Sequence, residues 1–230
     1  MVPDVGTKVV SLPATPLPRG TLQDHVYSKL SDLILNGEIA PGQLVTIQAL
    51  SDAFGVSTMP VREALQRLTA AKALTVISGR SIGIPRLTAE RLLDLRRVRL
   101  EVEGLAAEWA VEHVSRDTIA SLERIVEALG EAEARGDVKA YLRANREFHF
   151  TIYKAAASDV LYALIESLWL QISPFFHLLH GSGNYTVANA QHKLVLRALK
   201  DRDRAGVRQG IRNDIEAASN VLLAMLNEHG

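Results

Sequence analysis

The stretch GVSTMPVREALQRLTAAKALTVISGR, residues 55–80, begins with a glycine turn, continues at helical spacing and ends in a Gly-Arg tip. Ser57 stands at a helix N-cap position, and Pro60 is compatible with a helix because it falls in the first turn. A core helix does not need small polar residues and an arginine, Arg62, in its first turn. This helix end is therefore predicted to face DNA. Apolar residues at helical spacing predict its buried side: Val61, Leu65 and Leu68.

The residues before this stretch predict two further helices. The segment LQDHVYSKLSDLILNG, residues 22–37, ends in Asn36-Gly37, a typical C-cap. After a Pro-Gly turn, Thr46 is expected to cap a short second helix, IQALSDAF, which Gly55 closes. The first helix has four apolar residues on one face: Leu22, Val26, Leu30 and Ile34.

Two short β-prone runs follow the third helix. The runs LTVI and SIGIP are separated by Ser78, Gly79 and Arg80, a composition typical of a hairpin with an exposed tip. The order helix, helix, turn, helix, hairpin predicts a winged helix-turn-helix.

Length and proline content predict a second, all-helical domain. A chain of 230 residues suits two domains, and the four prolines of residues 1–20 are typical of a flexible arm. From Thr88 onward Pro174 is the only proline. The predicted helices are 88–114, 117–135, 138–157, 159–180, 186–201 and 203–227, with Gly130, Gly136 and residues 181–184 as punctuation. The fold class is therefore mainly α: an arm (1–20), a winged helix-turn-helix domain (21–86) and an all-α helical bundle (87–230).

Charge and composition restrict the function classes. Basic and acidic residues number 26 each, but residues 46–86 carry five basic against two acidic side chains, a modest basic patch compatible with phosphate binding. The absence of cysteine excludes disulfides, thiolate metal sites and cysteine nucleophiles. No apolar run is long enough to span a membrane and no secretion signal is recognisable, which predicts a cytoplasmic protein without a membrane partner.

The segment LILNGEIAPGQLVTIQALSDAFGVSTMPVREALQRLTAAKAL resembles the N-terminal domain of GntR-family bacterial transcription regulators. The C-terminal part is similar to the helical FCD domain of the FadR subgroup, on the segments VRLEVEGLAAEWA (98–110), NREFH (145–149) and QHKLVLRALKDRD (191–203). The resemblance implies an operator-binding transcription regulator whose helical domain binds a small-molecule effector.

The resemblance also implies which residues contact DNA. They are Gln48 on the second helix, Ser57, Thr58, Met59 and Arg62 on the third, and Ser78, Gly79 and Arg80 at the hairpin tip. Arg62 is the candidate base contact, because a guanidinium can donate two hydrogen bonds to guanine. Its alternative is a solvated charge paired with Glu63 or Asp52. Many family members have Arg-Thr at positions 58 and 59, so the operator sequence does not carry over.

A candidate metal site lies in the helical domain. Asn145 and His149 are four residues apart and so project from one helix face. The resemblance adds His192 and Asp214, the latter where the family usually has histidine, and implies a divalent ion such as zinc, nickel or manganese. Aspartate in place of histidine shifts the preference toward harder metals. The alternative is an ordinary hydrogen-bonded Asn/His pair.

The effector site would adjoin this metal. Arg99 resembles the family's inward arginine and would bind the carboxylate of an organic acid. The alternative is an ion pair with Glu103, one turn along the helix. Three aromatic residues could shape the pocket or belong to the plain core: Tyr141, Tyr153 and Trp169.

The leading interpretation is a dimeric, ligand-responsive repressor. One short reading helix recognises few base pairs, so two half-sites are expected. Two alternatives stay open: a metal-dependent enzyme using the Asn/His/His/Asp cluster, and a DNA-binding protein whose effector domain is vestigial.

Overall fold

The structure, a computed structural model, describes residues 22–78 and 81–228. Its architecture is mainly α, with an N-terminal winged helix-turn-helix and a C-terminal helical bundle, as predicted. The predicted arm lies outside the described residues. The elements are α1 (Leu22–Leu35), β1 (Leu44–Thr46), α2 (Ile47–Phe54), α3 (Thr58–Ala70), β2 (Thr75–Ser78), β3 (Ser81–Gly83), α4 (Ala89–His113), α5 (Arg116–Arg135), α6 (Val138–Ala155), α7 (Asp159–Ile172), a 3₁₀ helix (Ser173–Leu179), α8 (Asn184–Lys200) and α9 (Arg204–Glu228).

The N-terminal helices share one apolar core, in which α1 packs on α3. The predicted apolar face of α1 is buried at its last three positions, but Leu22, the first residue of the helix, is 51% exposed. The predicted buried side of α3 is confirmed at all three positions: Val61, Leu65 and Leu68.

Local capping signals define the turn between α2 and α3. The side chain of Thr46 accepts a hydrogen bond from the backbone N–H of Ala49 at 3.1 Å, as a helix N-cap does. Gly55 ends α2 with φ +65°, a backbone conformation that favours glycine. Ser57 has the extended backbone of an N-cap, but its hydroxyl makes no capping bond, which corrects the sequence prediction.

The wing is a three-stranded antiparallel sheet in the order β1-β3-β2. The predicted hairpin supplies β2 and β3, while β1 was not predicted. In β1, Leu44 pairs with Gly83 and Thr46 pairs with Ser81. Three residues are too few to display an alternating pattern, so only tertiary pairing identifies this strand.

The C-terminal helices form a bundle around α4, which packs against α6, α7 and α9. Four helices begin at a residue whose side chain accepts a hydrogen bond from a first-turn backbone N–H: Thr88, Ser115, Asp137 and Ser158. These caps explain why the boundaries predicted for α4 to α7 agree with the structure at their starts.

Two predictions for this bundle were wrong. The helix predicted over 159–180 ends at Ile172 and continues as a 3₁₀ helix. Pro174 stands at the start of that segment and has no backbone N–H to continue the α-helical ladder. Gly130 does not punctuate the chain but lies inside α5, with open space around its α-carbon.

Charged contacts join the N-terminal part to the bundle. Arg146 of α6 donates to Asp32 at 2.9 Å and to Asn36 at 3.2 Å, at the end of α1. Arg91 of α4 donates to Gln171 of α7 at 2.7 Å. The helix that carries the predicted ligands Asn145 and His149 thus also contacts the N-terminal part.

Candidate DNA-binding surface and metal centre

The start of α3 presents an exposed surface. Ser57, Thr58, Met59 and Arg62 are all exposed, and Met59 is 60% exposed despite its apolar side chain. The free hydroxyl of Ser57 and the open backbone N–H groups of the first turn are available to phosphate oxygens. This arrangement suits a helix end that approaches DNA.

Neither ion pair considered for Arg62 is present among the described residues. Asp52 instead accepts a hydrogen bond from Gln48 at 2.8 Å. This bond holds Gln48, which is a predicted DNA contact, at the start of α2. Arg67, on the same helix, differs from Arg62: its guanidinium lies 3.9 Å from the ring centre of Tyr27 and is paired with α1. Arg62 is thus exposed without a recorded protein partner.

A groove runs beside α3 between the start of α2 and the wing. Its lining includes Gln48, Thr58 and Arg62, and also Gln66 and Val76, which the sequence reasoning missed. Gln66 follows Arg62 by four residues, so helical spacing could have identified it. Of the predicted hairpin tip, Ser78 ends β2, while Gly79 and Arg80 lie outside the described residues.

Three helices bring the predicted metal ligands together. His149 comes from α6, His192 from α8 and Asp214 from α9, and their ligand atoms lie within 4.8 Å of one another. Nε2 of His149 is 3.2 Å from Asp214 Oδ2, and Nε2 of His192 is 3.8 Å from Asp214 Oδ1. Both histidine rings are almost fully buried.

The chemistry of these three groups fits a divalent cation. Both ring nitrogens of His192 are buried and have no hydrogen-bond partner within residues 22–78 and 81–228, which is costly unless something else occupies them. Burial lowers the pKa of His192 to about 4, so the ring is neutral and able to ligate near pH 7. Burial raises the pKa of Asp214, whereas the interactions with His149, His192 and Arg99 lower it, and the pKa lies below its usual value overall.

A small cavity adjoins two of the three ligands, His149 and Asp214. The fourth predicted ligand, Asn145, lines it together with Arg99, Trp169 and the buried Asn184. Asn184 was missed, because the sequence around it indicated only a turn. The free volume is about 30 Å³, roughly the share of one water molecule. A single ion or water can be accommodated, whereas an organic acid requires the surrounding side chains to move.

The structure shows the ion pair considered for Arg99 and also places this side chain at the cavity, while its binding of an effector stays a prediction. Its Nε donates to Glu103 Oε1 at 2.5 Å in a buried ion pair, and the same side chain lines the cavity. Glu103 also accepts from the hydroxyl of Tyr153 at 2.6 Å and from Nε1 of Trp169 at 3.0 Å. Tyr153 in turn lies 3.0 Å from Nδ1 of His149.

Family models match both parts of the chain. The model of bacterial regulatory proteins of the gntR family matches residues 22–84, and the FCD domain model matches residues 94–217. The chain therefore belongs to the GntR family of bacterial transcriptional regulators and carries an FCD domain.

Individual relatives agree with this assignment. The HTH-type transcriptional regulator McbR of Escherichia coli (strain K12) is 32% identical over 191 residues, covering 82% of this chain and 86% of McbR. The solved structure of E. coli McbR/YncC superimposes with a TM-score of 0.79 at 28% identity, covering 91% of this chain and 99% of that chain. The gluconate operon transcriptional repressor of Bacillus subtilis (strain 168) is 24% identical over 220 residues, covering 91% of this chain and 88% of the repressor.

These relatives are transcriptional regulators, and nothing in the comparisons supports the alternative of a metal-dependent enzyme. Within residues 22–78 and 81–228, no helix is both long and apolar enough to cross a membrane.

The buried neutral state of His192 predicts a pH-dependent stability of the metal-free protein. In the unfolded chain this ring takes up a proton near pH 6.5, but in the native protein only near pH 4. Between these values the unfolded state binds more protons, so the free energy of unfolding falls as the pH is lowered. The expected contribution of His192 is about 3 kcal/mol.

Urea denaturation in the presence of a chelator, at several pH values across this window, measures the effect. The variant His192→Phe should flatten the pH dependence, while His180→Asn, at an exposed position, should leave it in place. An unchanged slope in His192→Phe would contradict the prediction.

Proposed function

We propose that this protein is a homodimeric repressor that binds operator DNA through α3 and the wing and responds to a small organic acid bound at a metal ion in the helical bundle. The observation that carries the proposal is the pair of nitrogens of His192 that have no partner among the described residues, beside His149, Asp214 and a small cavity lined by Arg99 and Asn145. A protein that merely bound DNA would have no use for this costly buried cluster.

The name of one relative favours a repressor over an activator. The gluconate operon transcriptional repressor is named for repression, and it aligns with almost the full length of this chain. A dimer bound across an operator blocks access to the DNA without any further contact, so repression needs only binding and release.

A carboxylate effector suits the charges of the cavity. A divalent ion on His149, His192 and Asp214 would keep open positions for oxygen ligands, which Asn145 and a carboxylate could fill. Arg99 lines the same cavity and could donate to the carboxylate. Because Arg99 is already paired with Glu103, the effector would have to share Arg99 with Glu103 or displace Glu103 from it.

Helix α6 provides a physical link between the two sites. Asn145 and His149 face the cavity, while Arg146 holds Asp32 and Asn36 at the end of α1. An effector that binds one placement of α6 better than another would shift the population of α1 positions. The factor by which operator affinity changes cannot exceed the ratio of the effector's affinities for the two placements of α6.

We place the second copy of the dimer on the exposed side of α4. This helix belongs to the helical domain, which in our proposal begins at residue 87. The exposed side of α4 carries an apolar stripe at helical spacing: Val98, Val102, Leu105 and Trp109, of which Val98 is 37% and Trp109 41% exposed. Acidic residues beside the stripe are paired within the chain, Glu101 and Glu108 with Arg208 of α9. Such a neutralised apolar face is self-complementary in a two-fold dimer.

Replacing Arg62 with alanine is expected to weaken operator binding by about 1–3 kcal/mol, because a bidentate contact to a guanine would be lost. The DNA would be a fragment selected from a random pool by the wild-type protein, and affinity would be measured by fluorescence anisotropy. Arg67→Ala is the matched control, since Arg67 stacks on Tyr27 and should not change base preference. Equal binding by wild type and Arg62→Ala would remove Arg62 from the recognition surface.

The purified protein is expected to contain about one divalent ion per chain, and a chelator should lower its melting temperature by mass action. Elemental analysis and thermal denaturation give these two values. His149→Gln should lose the ion, whereas Asp214→His should bind zinc more tightly because it restores a three-histidine set. Metal content that survives replacement of both His149 and His192 would refute the site.

Residues 87–230 expressed alone are expected to form a folded helical dimer, and Trp109→Glu in the full chain should shift it toward monomer. A charge on the stripe would have to be buried in the dimer interface, which is strongly unfavourable. Sedimentation velocity and circular dichroism are the measurements. Leu194→Glu, at a 55% exposed position of α8, is the control. A dimer that persists in Trp109→Glu would place the interface elsewhere.

A further inference from the structure

Beyond the ligands themselves, we propose that Tyr153, supported by Glu103, is a positioning residue that holds His149 with its proton on Nδ1 and its Nε2 free to bind the metal. The inference rests on the proposed metal centre and adds to it the protein group that orients one ligand. Neither residue belongs to the ligand set, and both act through the hydrogen bonds behind it.

Glu103 is the fixed end of this chain of hydrogen bonds. The residue is 0% exposed and its carboxylate faces the guanidinium of Arg99 at 2.5 Å. The indole N–H of Trp169, which can only donate, lies 3.0 Å from Oε2. A carboxylate between these two donors acts as an acceptor, so it also accepts from its third neighbour, Tyr153.

The direction of the next hydrogen bond follows from proton counting. A tyrosine hydroxyl has one proton, and Tyr153 directs it to Glu103 at 2.6 Å. The hydroxyl then has only lone pairs to offer its second neighbour, Nδ1 of His149, which lies 3.0 Å away. That nitrogen must therefore carry a proton and donate it. The opposite nitrogen, Nε2, is the one that points at Asp214 and the other ligands.

The two histidines of the centre thus differ in how they are held. His149 is oriented by a hydrogen-bonded chain that begins on α4, whereas neither ring nitrogen of His192 has a hydrogen-bond partner. Groups that orient a ligating histidine in this way typically contribute 10–100-fold, roughly, in metal affinity. His149 is accordingly the preorganised ligand of the pair, and His192 is oriented by the ion and by packing alone.

The first test reads the proton directly in the wild-type chain. Protein labelled with ¹⁵N-histidine would be studied by NMR before and after addition of Zn²⁺, with the His149 signals assigned by their loss in His149→Gln. The expected result is a proton on Nδ1 in both states and a shift of the Nε2 resonance on zinc binding. A zinc-dependent shift at Nδ1, or an unprotonated Nδ1 in the metal-free chain, would overturn the inference.

The second test compares two buried hydroxyls that line or adjoin the same cavity. Tyr153 and Tyr141 are 1% and 2% exposed, but Tyr141 donates to the backbone of Tyr185 and not to a predicted ligand. Competition with a chromophoric chelator should show Zn²⁺ affinity reduced about 10–100-fold in Tyr153→Phe. Tyr141→Phe should change it much less. An equal loss in both variants would mean that only packing is at work and would contradict the proposed role.

The outcomes separate this inference from the proposed function. If the wild-type chain binds no Zn²⁺, the proposed metal centre fails, yet the metal-free spectrum still decides whether Nδ1 carries the proton. If Tyr153→Phe does not fold, as judged by circular dichroism, the wild-type spectra decide alone. Faster exchange of the Nδ1 proton in a folded Tyr153→Phe variant, with the same change absent from Tyr141→Phe, would support the inference.

Discussion

The helical bundle depends on satisfying one buried carboxylate. Glu103 is 0% exposed, and an unpaired charge at such a position would cost several kcal/mol, by order of magnitude. Its partners come from its own helix and from two neighbours: Arg99 on α4, Tyr153 on α6 and Trp169 on α7. Arg99 stays paired with Glu103 because both lie on α4, but α6 and α7 cannot slide along α4 without breaking the hydrogen bonds from Tyr153 and Trp169, so this network favours one relative register.

The same network explains why the candidate centre lies where it does. His149 is one turn from Tyr153 on α6, so fixing Tyr153 also directs His149 toward α8 and α9. Apolar residues of similar size would hold the helices together at least as well as a buried ion pair does. The presence of so many polar groups around one cavity is therefore better explained by a ligand than by stability.

Sequence reasoning succeeded where the determining interactions are local. Caps at Thr46 and Gly55 and the apolar repeat of α3 each depend on residues within one or two turns, so the winged helix-turn-helix could be predicted. The strand β1 and the hydrogen bonds that Glu103 accepts from Tyr153 and Trp169 could not, because they depend on partners between 35 and 66 residues away in the chain. Spacing placed Asn145 and His149 on one helix face, but the predicted ligands His192 and Asp214 came only from the family pattern, since their positions along the chain carry no such signal.

Helix α6 connects the two sites because adjacent residues on a helix face in different directions. Asn145 and His149 point into the cavity, and Arg146, next to Asn145, points outward to Asp32 of α1. A rotation or shift of α6 would therefore change the cavity and the contact with α1 together. The cavity has only about 30 Å³ of free volume, so binding of an organic acid must displace its walls. The Glu103 network resists movement of α6 against α4 and α7, whereas the 3₁₀ helix and the start of α8, which supply Phe176 and Asn184 to the other wall, lie outside that network. Whatever part of the wall displacement α6 followed would be carried to α1 by Arg146, and that fraction would limit how strongly the proposed effector could alter DNA binding.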